Sequence, residues 1–155
     1  MNIGIIVFSH TGNTLSLSRE ILKSLTKAGH TVNIEQVTTD GDPQKMGNDI
    51  KFKNRPSTDN YDALFFGSPV WAFSLCPVMK IYLSGLGSLD SRKVGLFVTK
   101  TLPFNWTGGN HAISQMKKEV GVKKGKVNGS GIVRWKKGGP DPNMDDIIQK
   151  LCKHF

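Results

Sequence analysis

Three stretches of the chain combine residue types that could do chemistry together. The first is Ser9-His10-Thr11-Gly12-Asn13-Thr14, a set of hydroxyls, an amide and a glycine directly after the apolar run Ile3-Gly4-Ile5-Ile6-Val7-Phe8. A buried strand delivering such a loop to a helix start makes an anion site, because the orphan N–H groups and the positive dipole end of the helix point the same way. Phosphate is the natural occupant. The same residues also describe an ordinary helix N-cap, so this loop alone leaves both readings open. The second stretch is Ser68-Pro69-Val70-Trp71-Ala72-Phe73, which follows the short apolar run Asp62 to Gly67. The third runs from Thr99 to Asn110 after Val94 to Val98 and includes Thr99, Lys100, Thr101, Phe104, Trp106 and Gly108. Its length and its aromatics mark a binding loop.

Other reactive side chains form no constellation. Cys76 and Cys152 are far apart and lack metal-ligand spacing, so no metal is expected and a reduced, cytoplasmic setting is the default. Cys76 stands near a helix start, a place that can lower a thiol pKa, but a small residue filling space beside Pro77 is the simpler role. His30, His111 and His154 accompany no nucleophile. The first apolar run is too short for a membrane span, and no membrane partner is expected.

The formal charge is +9 over 155 residues, and residues 78–155 hold all of the excess, with fourteen Lys/Arg against five Asp/Glu. Such a half can attract nucleic acid, anionic lipid or an acidic protein. The basic residues lack the aromatic interleaving of an RNA platform, so nucleic acid is not expected.

The elements that must position these loops follow from periodicity. Leu15, Ile21, Leu22, Leu25 and Ala28 predict a helix closed by Gly29, and Thr31 to Val37 alternates as a strand. Residues 38–60 are polar and carry only a weak helical signal around Met46, Ile50 and Phe52. Asp62 to Gly67 and Val94 to Val98 read as strands, with a helix between them that begins at Pro77. A helix over Ala112 to Val120, a glycine-blurred strand within Lys126 to Trp135 and a closing helix on Met144, Ile147, Ile148 and Leu151 complete the pattern. Five strands alternating with helices predict one α/β domain with a parallel sheet covered on both faces. Ligands of such sheets sit beyond the carboxyl strand ends, where strand order reverses. The three loops follow the first, third and fourth strands, as one site there requires.

At these residues the chain resembles the flavodoxin family, over essentially its whole length and without the insertion of long-chain members. Ser9 to Thr14 is similar to the family's phosphate loop, Gly67 to Ala72 to its first flavin loop and Thr99 to Gly109 to its second. The resemblance implies a single domain over residues 1–155, a three-layer sandwich with a five-stranded parallel sheet in the order 2-1-3-4-5, and noncovalent FMN. It implies that Ser9, Thr11, Asn13 and Thr14, with the N–H of Gly12, hold the phosphate; His10 there could either add a positive charge or contribute only its backbone, the latter being the simpler role. Trp71 matches the aromatic that stacks on the isoalloxazine, with Trp106 or Phe104 opposite. The implied role is an electron carrier between redox partner proteins, here with acidic surfaces to match the basic half. The alternative is a small FMN-dependent NAD(P)H or quinone oxidoreductase. Two departures carry expectations of their own. Lys100 would place a cation beside the flavin, favouring its anionic reduced form. Ala72 stands where many relatives have Gly, and because Ala resists positive φ, the one-electron level of the flavin should be poorly stabilised.

Overall fold

A computed structural model describes residues 1–104 and 106–155. Its backbone is five strands, β1 (Asn2–Val7), β2 (Thr31–Gln36), β3 (Ala63–Trp71), β4 (Lys93–Lys100) and β5 (Lys126–Lys136), alternating with helices α1 (Asn13–Lys27), α2 (Pro77–Ser84), α3 (Gly109–Val122) and α4 (Met144–Cys152). The five strands are parallel and ordered β2-β1-β3-β4-β5.

The continuous apolar runs are explained by cover on both faces. Ile3, Ile5, Phe65 and Phe97 face α1 and α4, where they meet Leu17, Ile21, Leu25, Ile148 and Leu151. Ile6, Leu64, Phe66, Leu96 and Val98 face α2 and α3, where they meet Met79, Tyr82, Leu83, Ile113 and Met116. Strand β2 alternates in exposure because it is an edge. Two reciprocal pairs hold β3 to β4. Phe65 lies beside Gly95 and Gly67 beside Phe97 in register, and a Cβ on Gly67 would come within 2.2 Å of the Phe97 ring. Each ring fills the space its neighbour leaves empty.

The sheet departs from the five-stranded expectation. Ser74–Leu75 adds antiparallel to β3 and Gly139–Pro140 antiparallel to β5, giving seven strands. The weak helical signal in residues 38–60 yields no α-helix. Thr38–Thr39 pairs instead with Phe52–Asn54, and between them lies a short 3₁₀ turn over Pro43–Lys45, capped by the Asp42 carboxylate at 3.0 Å from the Gln44 N–H. Pro43 and the positive φ of Gly41 and Gly47 interrupt any longer helix, while Ile50 and Phe52 go to the α2–α3 core. The consequence for function lies in the order: β2 and β3 flank β1 on opposite sides, so the carboxyl ends of β1 and β3 diverge into a crevice.

Candidate functional site

The first loop leaves its helix end open. Gly12 takes the N-cap of α1 at φ 97, a left-handed value that suits glycine, and no side chain caps the helix. The Gly12 carbonyl accepts the Ser16 N–H at 2.9 Å, and Ser9 Oγ accepts the Leu15 N–H at 3.2 Å. Among the described residues, no hydrogen bond within the protein uses the N–H groups of His10, Thr11, Gly12, Asn13 or Thr14. Thr14 differs from its neighbours in the loop. Its side chain is buried, and its hydroxyl lies 2.7 Å from Thr99 Oγ1, which ties the first loop to the third.

The second stretch is a hairpin rather than a loop. Strand β3 continues through Ser68, Pro69, Val70 and Trp71 and returns at Ser74 after a two-residue turn of Ala72 (φ 49) and Phe73 (φ 63). Two left-handed central residues are the I′ pattern, whose twist matches the flanking strands. The Leu75 N–H donates to Gln115 Oε1 at 2.8 Å, which fastens the hairpin to α3. Ala72 therefore holds the positive φ that the sequence reading expected it to resist, because hairpin twist outweighs its local preference. Ser68 is buried, with its hydroxyl donating to the Pro69 carbonyl. Trp71 presents its ring edge-on to Phe8 at 5.8 Å and to His10 at 5.4 Å. The His10 ring, not only its backbone, is thus part of this wall.

The third loop is gathered around Lys100. The side chain is 6% exposed, and Nζ donates to the carbonyl oxygens of Leu102 (2.8 Å) and Phe104 and to Thr107 Oγ1 (3.3 Å). Burial first, and the Arg134 guanidinium second, hold its pKa below the usual lysine value. Lys100 lines the cleft as the sequence places it, with its ammonium held by two loop carbonyls and a hydroxyl. Arg134 Nε donates to the Thr101 carbonyl at 3.0 Å. Gly108 starts α3 at φ 109, and a Cβ there would sit 2.6 Å from Phe73 Cα, so the second and third loops meet backbone to backbone. Phe104 and Trp106 are 65% and 77% exposed and stack on each other at 5.8 Å with planes 7° apart.

These loops enclose a cleft of about 170 Å³ lined by Thr11, Asn13, Pro69, Val70, Trp71, Thr99, Lys100 and Thr101. A second hollow of about 140 Å³, lined by Ala72, Phe73, Leu102 and Thr107 among others, shares Val70, Lys100 and Thr101 with it. A larger hollow of about 440 Å³ lies between α2 and α3 and contains none of the expected residues.

No protein-family model matches the sequence, and no curated protein matches it. Solved structures do match. An oxidised flavodoxin from Bacillus cereus superposes with a TM-score of 0.71 at 15% identity, covering 100% of both chains. A two-electron reduced flavodoxin from Megasphaera elsdenii gives 0.66 at 20% identity over 97% of this chain and 98% of its own. A Fusobacterium nucleatum flavodoxin bound to flavin mononucleotide gives 0.60 at 17% identity over 99% and 98%. The chain has the flavodoxin fold.

Within that fold the cleft opens at the carboxyl ends of β1, β3 and β4, the switch-point placement for which flavodoxin is itself a standing example. Two contributors lie outside the three stretches, Gln115 and Arg134, and Thr107 was singled out only as part of the third. Only Arg134 had a discoverable signal, as a charge near the end of the last strand, and its pairing opposite Lys100 depends on a register that glycines obscure. Cys76 is fully buried, and burial pushes its thiol up to about 12 despite the helix start. No group of three His, Cys, Asp or Glu that could hold a metal occurs among the described residues.

Proposed function

We propose that the cleft binds FMN noncovalently and that the protein carries electrons between redox partner proteins. The observation that carries this reading is the convergence of an uncapped helix N-terminus and a half-exposed tryptophan on one cleft at the switch point. The residues suit the cofactor. A phosphate dianion needs several donors around it, and Thr11, Asn13, the Ser9 hydroxyl proton and the free N–H groups from His10 to Thr14 supply them. Trp71 offers a flat apolar wall for a planar ring, held in place by T-shaped contacts with Phe8 and His10. Thr14 acts indirectly, by bracing the loop against Thr99. Lys100 shapes the third loop and lines the cleft with its stem. FMN, when bound, supplies one- and two-electron redox chemistry at its ring. The protein orients that ring and limits water on the face that Trp71 covers.

Exposed apolar side chains concentrate at this end: Phe73, Leu102, Phe104 and Trp106 are among the few large ones left in solvent. A redox partner meeting the cleft would cover them. The test is a visible spectrum of the purified protein, followed by FMN loading and stepwise anaerobic reduction in the presence of a redox partner protein. Flavin absorbance in the loaded protein, with flavin fluorescence quenched on binding and electrons passed to the partner, supports the proposal. A colourless protein that cannot be loaded with FMN overturns it, and rapid NAD(P)H oxidation without a partner would turn the reading to an oxidoreductase.

A further inference from the structure

Apart from Lys80 on α2 and Lys117 and Lys118 midway along α3, much of the surplus positive charge lies at the pole opposite the cleft. There β4 begins at Lys93 and β5 at Lys126, neighbours in register, while α3 runs out into Lys123 and Lys124, and α4 into Lys153. The chain connections knit these residues together: the Leu89 N–H donates to the Lys123 carbonyl, the Ser91 N–H to that of Lys124, and the Lys126 N–H to that of Arg92. Lys93 Nζ reaches the His154 carbonyl at 3.0 Å. Lys93, Lys124, Lys126 and Lys153 are exposed, as is Lys150 one turn earlier on α4. The carboxylates nearby are few. Asp90 is bonded to the Ser88 hydroxyl, Asp62 accepts the Asn2 N–H at the foot of β3, Asp59 is exposed beside Thr58, and Glu119 is half-buried a turn back in α3. Among the described residues the one ion pair is Lys23 with Glu20, on α1.

The cleft end of the same half is far more balanced. Its cations are Lys100 and Arg134, both bonded to loop carbonyls, with Lys136 and Lys137, and they are accompanied by Asp141, Asp145 and Asp146 around the start of α4. An acidic redox partner would therefore be drawn by the long-range field to the wrong end. The polar cluster has two ordinary explanations, and each covers only part of it. Helix C-termini favour cations, which accounts for Lys123, Lys124 and Lys153 but not for lysines that begin strands. Edge protection accounts for Lys126 on edge strand β5 but not for Lys93 on an interior strand.

We propose that this pole docks on an anionic lipid surface by electrostatic attraction, leaving the cleft turned away from the bilayer. Clusters of four to eight basic residues are attracted to anionic headgroups without a shaped pocket. The pole suits that diffuse chemistry better than a polynucleotide. Its exposed cations are lysines, and Arg92 spends its guanidinium on the Thr58 and Tyr61 carbonyls. The helices end there, so they offer carbonyls rather than the N–H donors that grip phosphates. Phe155 packs inward against Phe65 and is not free to stack on a base. Val122, 68% exposed beside Lys123, adds an apolar contact at the same end. Among the described residues no helix is long and apolar enough to cross a membrane, and the docking proposed here is peripheral. This proposal is independent of FMN binding and would survive its failure.

The test is cosedimentation of the whole protein with vesicles of phosphatidylcholine alone or with about 30% phosphatidylserine, at about 0.1 M salt and again at about 0.5 M. Binding is expected only with phosphatidylserine and should fade at the higher salt. Each lysine is worth about fivefold, so Lys126→Ala with Lys153→Ala should weaken binding roughly 25-fold. Lys136→Ala with Lys137→Ala removes the same charge from the other pole and should change it little. Circular dichroism confirms that both variants are folded. Equal losses in the two double variants, or no preference for phosphatidylserine, would overturn the proposal, as would retention on duplex DNA with no vesicle binding.

Discussion

Lys100 and Cys76 illustrate how a residue's surroundings redirect the chemistry its type suggests. A lysine at the head of a binding loop reads as a cation for the ligand, yet its ammonium is bonded to the Leu102 and Phe104 carbonyls and to Thr107. The position was legible in the sequence. The way its ammonium is held was not, because two of the three acceptors are backbone carbonyls whose placement depends on the loop's path. Replacing it with methionine keeps most of the stem and removes the donors, so Lys100→Met should leave the loop over residues 101–108 cleaved severalfold faster by protease in the ligand-free protein, with lysine-to-arginine closer to wild type. Trp71 is legible in place, since it stands on the cleft wall where the sequence puts it. Losing one aromatic stacking surface is worth about 1–3 kcal/mol, so Trp71→Ala should weaken FMN binding by roughly 5- to 150-fold in a fluorescence titration. Cys76 fixes a pH dependence. Its thiol keeps its proton to about 12 in the folded chain and releases it near 9.0 when unfolded. The unfolded state loses protons first, so stability is full below pH 9 and falls above it, by about 1.4 kcal/mol per pH unit for this one proton. Denaturant melts from pH 8 to 10 should show a shallower fall in Cys76→Ala than in wild type.

At the level of elements, strand and helix identity was readable because apolar runs and helical spacing are local signals, whereas strand ends were not. β3 and β4 extend past the apolar run into Trp71 and Lys100, where the side chains face a cleft instead of a core and the pattern that marks a buried strand stops. The turn at Ala72 and Phe73 is a sharper example. Two-residue hairpins usually announce themselves with Asn-Gly or Gly-Gly, and here two residues with side chains occupy left-handed positions. The partners that hold it there, the Gln115 amide on the Leu75 N–H and Gly108 against the Phe73 backbone, come from distant segments. Ala72 is consequently under backbone strain. Ala72→Gly should raise unfolding stability by about 1 kcal/mol, since glycine takes φ 49 without a Cβ penalty. Gly108→Ala should do the opposite, with both a left-handed φ and a 2.6 Å approach to Phe73 Cα to relieve. A loss of about 2–3 kcal/mol in a denaturant melt is expected, together with loosening of the hairpin. If Gly108→Ala melted like wild type, the second and third loops would not be in contact.

For the whole molecule, the candidate site is a product of topology. Residues 9–14, 68–73, 99–104 and 106–108 belong to segments separated by long stretches of chain, and the order β2-β1-β3-β4-β5 brings them together at the carboxyl ends of the strands. The sheet tolerates this because its core holds the strands and not the loops: Ile5, Phe65 and Phe97 are buried on one face and Ile6, Phe66 and Leu96 on the other, while the cleft residues are left to be satisfied by something else. The open N–H groups on the first loop and the half-exposed Trp71 are groups that water serves less well than a fitted ligand. A ligand that joins all three loops should therefore stabilise the entire fold and not one segment of it. At a concentration a hundred times its dissociation constant, FMN should add about 2.7 kcal/mol to unfolding stability, an increase in Tm of roughly 5–10 °C for a chain this long. Riboflavin presents the same ring without the phosphate, so at equal concentration it should give a clearly smaller shift. Thr11→Ala with Asn13→Ala should narrow the gap between the two ligands by weakening FMN while leaving riboflavin nearly unchanged. An equal shift from both ligands in the wild-type protein would mean that the uncapped end of α1 takes no phosphate, and that the first loop serves the fold alone.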